Sequence, residues 1–244
     1  MSENILKGKL LITGTIKVKT GLAIGGNKSG IDIGALDNPV IKYKKGNKSL
    51  PYIPGSSLKG KLRALLAKVA GTKDEKDDYE KMKDANSEFK HLAVVFGYAP
   101  DKEDQSRGEA LLKVRDCFLG KNAIEDLTEE KMENSINRIT GKANPRPLER
   151  VLPDTVFDLD LCLDVYNEKD AKEHLKLLDL AFQLLNQDYL GGGGSRGNGR
   201  VEIKSKIEQY LEIDASSKKL VSNQSFKFQF TCPYEEENTT AKTQ

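Results

Sequence analysis

The sequence has no tryptophan, two histidines and three cysteines in 244 residues, and each shortage closes off chemistry. His91 and His174 both lie in helix-like stretches, so serine–histidine–acid and paired-histidine mechanisms have almost no raw material. Cys117, Cys162 and Cys232 are odd in number and widely spaced, without the close pairs of a zinc site. They read as core thiols of a cytosolic protein rather than as disulfide partners. No apolar run approaches the roughly 18 residues of a membrane span. The opening MSENILKGKLLITG lacks the basic-then-apolar pattern of a secretion leader, so a cytoplasmic chain with no membrane partner is expected. With 37% apolar and 31% charged residues, there is material for a sizeable core under a wet surface. A net charge of +2 argues neither for nor against nucleic acid, because phosphate contacts depend on local clustering.

What is present is periodicity. KLLITGTIKV (9–18) alternates, with Leu10, Ile12, Ile16 and Val18 on one side and Lys9, Thr13, Thr15 and Lys17 mainly on the other: a half-buried strand. A glycine-containing stretch follows, with a strand expected at Val40–Tyr43. At 51–71 the period changes to that of a helix, capped by Ser56 or Ser57 and ending at Gly71, with Leu58, Leu62, Leu65 and Val69 as its stripe. A second strand is expected in 110–119. Residues 155–166 alternate, Phe157, Leu159, Leu161, Leu163 and Val165 inward and Asp158, Asp160 and Asp164 outward. A helix over about 170–187 and a last strand over 200–207 complete the order. Strand, helix, strand, strand, helix, strand predicts an α+β, ferredoxin-like (RRM-like) βαββαβ core. The expected organisation is one domain over 1–232 with a charged insertion at 72–108 and a hairpin arm within 120–154, then a disordered polar tail at 233–244.

Two segments carry candidate chemistry. LGGGGSRGNGRV (190–201) leaves backbone N–H groups unshielded, so it can wrap an anion, admit a second backbone or serve as a plain linker. It lacks the GxxxxGK[ST] pattern of a nucleotide P-loop. SGIDIGALDNPVIK (29–42) holds Asp32 and Asp37; on residue chemistry alone, Asp37 either opens an Asp-Asn-Pro turn or is a working acid.

A glycine loop ending in SRGxGRV just before the last strand resembles the signature loop of the RAMP superfamily of CRISPR-associated proteins. TGLAIGG (20–26), GALDNPVIK (34–42), PYIPGSSLKGKLRALL (51–66), Phe96-Gly97, KVRDCFL (113–119) and ENSINRITGKANPRPLERV (133–151) follow in an order that narrows the likeness. Together they resemble the repeated backbone subunits of type III-A CRISPR effector complexes, the third-subunit family of the Csm complex, from about residue 7 to 207.

That resemblance implies a subunit that polymerises with further copies of itself along a CRISPR RNA, beside other subunits, and cuts the paired single-stranded target RNA. It implies a divalent metal, Mg²⁺ or Mn²⁺, with Asp37 as catalytic and metal-binding acid and Asp32 as a bystander. RNA carries its own 2′-hydroxyl nucleophile, so one placed acid can suffice. The resemblance further implies RNA contacts from Ser57, Lys59 and Arg63 at the first helix, and from Gly193, Gly194, Ser195 and Arg196 in the loop. Residues 133–151 resemble a thumb hairpin that displaces base pairs, with a tip at Ala143-Asn144-Pro145-Arg146 and with Arg138 and Arg150 as basic flanks. Three alternatives stay open: a non-catalytic RNA-binding backbone, a metal-independent RAMP endonuclease that processes CRISPR precursors, and an anion-binding metabolic protein. Both histidines read as packing or helix-surface residues.

Overall fold

In the computed structural model, residues 5–26, 39–72, 90–97, 109–120 and 127–233 are described; Asp32, Asp37, the insertion after 72 and the tail after 233 lie outside them. In chain order the elements are β1 (Gly8–Val18), β2 (Lys42–Lys45), β3 (Lys48–Pro51), α1 (Gly55–Ala70), α2 (Leu92–Phe96), β4 (Leu112–Val114), β5 (Thr128–Ile136) and β6 (Ala143–Val151). β7 (Val156–Val165), α3 (Glu168–Gln187), β8 (Val201–Asp214) and β9 (Lys219–Asn223) follow.

β1 is the centre of a five-stranded antiparallel sheet, ordered β4-β7-β1-β8-β9. Its register sets the core: Ile12 lies between Leu161 and Ile207, and Ile16 between Phe157 and Ile203. Gly14 is demanded by this crossing, since a Cβ there would sit 2.0 Å from the Lys204 carbonyl. α1 and α3 cover the apolar face through Leu58, Leu62, Leu65 and Leu66 on one and Leu175, Leu178, Phe182 and Leu185 on the other. Each such side chain contributes roughly 1.5–3 kcal/mol on burial.

Several boundaries differ from expectation. Val69 is 49% exposed, and Leu66, fully buried, completes the α1 stripe, because Leu62, Leu65 and Leu66 form the i, i+3, i+4 face turned inward. α1 has no serine cap: Pro54 is the N-cap, and the Asp116 carboxylate accepts the Gly55 N–H at 2.8 Å. Val40 makes only an isolated bridge to Gly25, so β2 begins at Lys42. The 110–119 strand is three residues long, because the chain changes partner and Cys117 exchanges both backbone bonds with Ile53 (3.0 and 2.8 Å). β8 runs seven residues beyond 207, to Asp214, whose carboxylate accepts from the Ser216 and Ser217 N–H groups in the turn to β9. β9 left no alternation to read, since Leu220 and Val221 are both exposed.

The other face of the sheet is charged. Arg115 Nη1 donates to both oxygens of Asp160 (2.7 and 2.8 Å), Lys17 meets Asp154 at 2.9 Å and Lys19 meets Glu202 at 3.4 Å. Asp164 points to this face as expected, yet it is only 8% exposed, because Lys9 (2.6 Å) and Lys113 close over it. Burial raises its pKa, but the bonds from Lys113 and Lys9 outweigh that and hold it below the usual carboxylate value. The positions on this face (Lys9, Leu11, Thr13, Thr15 and Lys17 on β1, with their β7 and β8 partners) carry no aromatic ring. Those central positions therefore offer no ring for base stacking of the RRM kind.

Candidate nucleic-acid interface

Three segments meet beside the sheet. The first is the β5–β6 ribbon, rooted where Val151 and Leu22 exchange backbone bonds of 2.7 and 3.0 Å. Arg150 braces this root: Nε donates to Glu129 (2.6 Å) and Nη1 to Asn198 Oδ1 (3.0 Å). The side chain crosses Gly21, where a Cβ would lie 2.2 Å from its Cδ.

The second is the glycine loop, which is a seated structure rather than a linker. Gly192 N–H donates to Ala23 (2.7 Å), Gly199 N–H to Gly21 (2.9 Å), and Leu190 N–H to Gly199 (2.8 Å). Gly191 adopts φ +77°, and a Cβ there would stand 2.4 Å from the Ala23 carbonyl. Only glycine allows both the left-handed backbone and this approach. Gly194, Ser195 and Arg196 form a short 3-10 turn, with Gly194 resting on the Tyr189 ring. Arg196 reaches across to the ribbon, Nε to Glu133 at 3.1 Å, while its side chain stays mostly exposed. Asn198 is buried beneath the loop.

The third is the pair of segments 22–26 and 39–41, joined by Gly26 N–H to Pro39 (2.9 Å) and Ile41 N–H to Ile24 (2.9 Å). Glu149 from β6 clamps it, accepting the Val40 N–H at 2.9 Å and the Lys42 ammonium. Burial pushes the Glu149 pKa up, but Lys42, the Val40 N–H and Thr128 outweigh this and keep it ionised.

Between the three lies a cleft of about 770 Å³. Val40, Pro39, Gly193, Arg146, Arg196 and Glu133 are on its wall. Pro39, the second residue after Asp37 in the sequence, stands on this wall, while Asp37 itself lies outside the described residues. The expected residues thus divide. Gly193, Arg146 and Arg196 line the cleft, Gly194 and Ser195 lie in the adjoining turn, and Arg150 braces the wall. Arg138 sits at the far end of the ribbon. Ser57, Lys59 and Arg63 stand on α1; Lys59 is held below its usual pKa by burial, then by Lys113 and Arg63.

The expected ribbon tip requires correction. Ala143-Asn144-Pro145-Arg146 is strand, paired with Glu133–Ile136. The turn is 137–142, where the Asn137 carboxamide accepts from the Ile139 and Thr140 N–H groups (2.9 and 3.0 Å) and Gly141 takes φ +67°. Asn137 makes the Asx turn, and a two-stranded ribbon tolerates Pro145 and Pro147 because its outer edges need no donors. Ile139 at this tip is 96% exposed.

Reactive side chains are few. The Cys117 thiol is pushed up to about 12, first by burial. His174 is pulled down to about 4 by burial and then by His91, whose Nδ1 lies 3.2 Å from its Nε2; neither histidine faces the cleft. Sequence reasoning missed Glu149, Glu133 and Asn198, whose roles depend on partners at least 48 residues away.

The family model described as the RAMP superfamily matches residues 15–202. The CRISPR system Cms endoribonuclease Csm3 of Streptococcus thermophilus is 42% identical over 205 residues, covering 80% of this chain and 87% of that one. The protein of the same name from Methanocaldococcus jannaschii is 36% identical over 231 residues, covering 89% and 90%. The Methanopyrus kandleri Csm3 crystal structure shares the fold with a TM-score of 0.54 at 21% identity, covering 87% of this chain and 79% of that one. The chain belongs to the RAMP superfamily and, within it, to the Csm3 family.

Proposed function

We propose that this chain is an RNA-binding backbone subunit of a type III-A CRISPR effector complex that cuts the target RNA paired with its guide. It aligns with further copies of itself along the CRISPR RNA, beside the complex's other subunits. The observation that carries this reading is the convergence of ribbon, glycine loop and Pro39–Val40 on one cleft, two residues along the chain from Asp37. The family's endoribonuclease names support the chemistry. The four core strands β1, β4, β7 and β8 stand in the order second, third, first, fourth, which supports a ferredoxin-like βαββαβ core carrying β9 as an addition.

The residues each have a task in this reading. Arg196, Arg146 and the glycine-loop N–H groups hold phosphates along the cleft. Lys59 and Arg63 do so from side chains alone, since the first N–H of α1 already meets Asp116. Ile139, exposed at the ribbon tip with Arg138 beside it, is the wedge that parts a base pair. Asp37 takes the proton from a ribose 2′-hydroxyl; the O2′–P bond forms as the P–O5′ bond breaks.

Among the described residues no cluster of three histidine, cysteine or carboxylate side chains could hold a metal. Glu133 and Glu149 are already engaged by Arg196 and Lys42. A hard cation held by Asp37 and the RNA's own phosphate oxygens suits the sparse protein coordination of Mg²⁺, and it would neutralise charge on the scissile phosphate. Imidazole chemistry is disfavoured, because both histidines are packed against each other.

The test is target cleavage by the assembled complex, wild type against Asp37→Ala, with and without Mg²⁺. Cleavage should fall at least about a hundredfold in the variant and vanish in EDTA while guide binding persists. Unchanged cleavage in Asp37→Ala would leave a non-catalytic backbone; cleavage that survives EDTA would favour a metal-independent processing enzyme.

A further inference from the structure

Tyr43, Tyr52 and Phe118 are scattered in the sequence, but their rings meet at the surface. Tyr43 stands edge-on to Phe118 at 4.8 Å and to Tyr52 at 5.9 Å, while Tyr52 and Phe118 are stacked at 5.9 Å with 23° between planes. The fold dictates this. The Ile53–Cys117 bridge sets Tyr52 beside Phe118, and the β2–β3 pairing, Lys42 with Pro51 and Tyr43 with Leu50, brings Tyr43 over them. Phe118 remains 44% exposed, so the trio is not core.

The segment that carries Tyr43 and Tyr52 is basic, although Asp158 adjoins Phe118 through its backbone N–H (2.8 Å). Residues 39–72 carry seven lysines and Arg63 but no aspartate or glutamate. Lys44, Lys45 and Lys48 are exposed on the β2–β3 hairpin beside the rings. Asp116, two residues before Phe118, is engaged by the Gly55 N–H. Protein interfaces are depleted in lysine, whereas aromatic rings set among cations are the standard equipment for unpaired nucleotides.

We propose that the Tyr43–Tyr52–Phe118 patch is a sequence-tolerant stacking platform for single-stranded RNA. An unpaired base lies on the open face of Phe118, and Lys44 and Lys45 of the hairpin hold the flanking phosphates. The proposal rests on the reading of the cleft as an RNA site: Val40 lines the cleft and Tyr43 is three residues further along the same chain segment, so a strand passing the rim meets the platform next.

The experiment uses the full chain and a short single-stranded oligoribonucleotide carrying 2-aminopurine, whose fluorescence is quenched by stacking. Phe118→Ala should weaken binding at least about fivefold, the lower end of one stacked base, and abolish the protein-dependent quenching. Phe118→Trp should retain both, and circular dichroism should show both variants folded. If Phe118→Ala and Tyr43→Ala bind and quench like wild type while Arg196→Ala binds more weakly, the platform is wrong and the cleft reading stands. If wild type binds no RNA, the cleft reading fails and the platform with it. If Phe118→Ala changes the sedimenting size of the chain at unchanged RNA affinity, the patch is a protein interface and the proposal is overturned.

Discussion

The open sheet face and the 39–72 rim are both rich in lysine and arginine, but they use the charge oppositely. On the sheet, Lys9 and Lys113 share Asp164, Arg115 holds Asp160, Lys17 meets Asp154 and Lys206 meets Glu208 at 3.3 Å. Cross-strand alternation places acids and bases opposite one another, so the protein supplies its own counterions. The rim stretch has no acid of its own, and Lys42 and Lys61 reach borrowed carboxylates, Glu149 and Asp188. An ammonium closed in a pair within the chain gains little from a phosphate, because binding must first break the pair, whereas Arg196, held at Nε by Glu133, keeps the rest of its guanidinium exposed. Lys44 and Lys45, exposed on a segment without a carboxylate, can turn to a polyanion. Counting basic residues would rank the two surfaces alike; their counterions separate them.

Acid challenges this contrast most strongly. His174 sits near 4 in the folded chain against about 6.5 when unfolded, so the unfolded state binds more protons between those values. Its contribution is therefore whole above about 6.5 and is lost as pH falls toward 4, by up to roughly 3 kcal/mol. Urea midpoints measured from pH 7 to 4 should fall, and His174→Leu should flatten that window. Asp164, held below its ordinary pKa, adds a further loss only below about pH 4, in the usual carboxylate direction.

A smaller effect isolates the paired face. Asp164→Asn leaves Lys9 and Lys113 close together without a counterion and should cost about 1–3 kcal/mol in a urea titration. Its RNA affinity and the salt dependence of that affinity should match wild type. A steeper salt dependence, with the two released ammonium groups reaching phosphates, would mean that the sheet face binds RNA after all.

The smallest change in stability should come from the rim. Lys44→Gln with Lys45→Gln should leave the urea midpoint within about 0.5 kcal/mol. The salt slope of single-strand binding should become shallower by about 1.4, at about 0.7 for each of the two phosphate contacts removed. An unchanged slope would erase the contrast between the surfaces.

Much of the fold was legible because it rests on local period. Alternation in β1 and β7 and the 3.6-residue stripe of α3 named the buried side chains directly, since each pattern is written within a single segment. The misplaced features depend on distant partners. The helix cap expected from Ser56 or Ser57 comes instead from Asp116, beyond the next helix. The 110–119 strand stops early because Ile53 competes for its backbone. The ribbon tip was misread because proline signals a turn in isolation, while the Asn137 side chain and the cross-strand register set the real one. The glycine loop was recognisable as a feature, but whether it was linker or cradle was not. Its hydrogen bonds run to Gly21 and Ala23, some 170 residues earlier.

By itself, then, the sequence determined the order of strands and helices, the core stripes, the scarcity of histidine chemistry, and the motif order that places the chain in its family. All of these are carried by near neighbours along the chain. The tertiary structure alone decided which charges are paired, which loop faces the ribbon across the cleft, and that three scattered aromatic residues share one surface. Coulomb energy, hydrogen bonding and ring contact act over a few ångströms of space, and separation along the chain does not enter them.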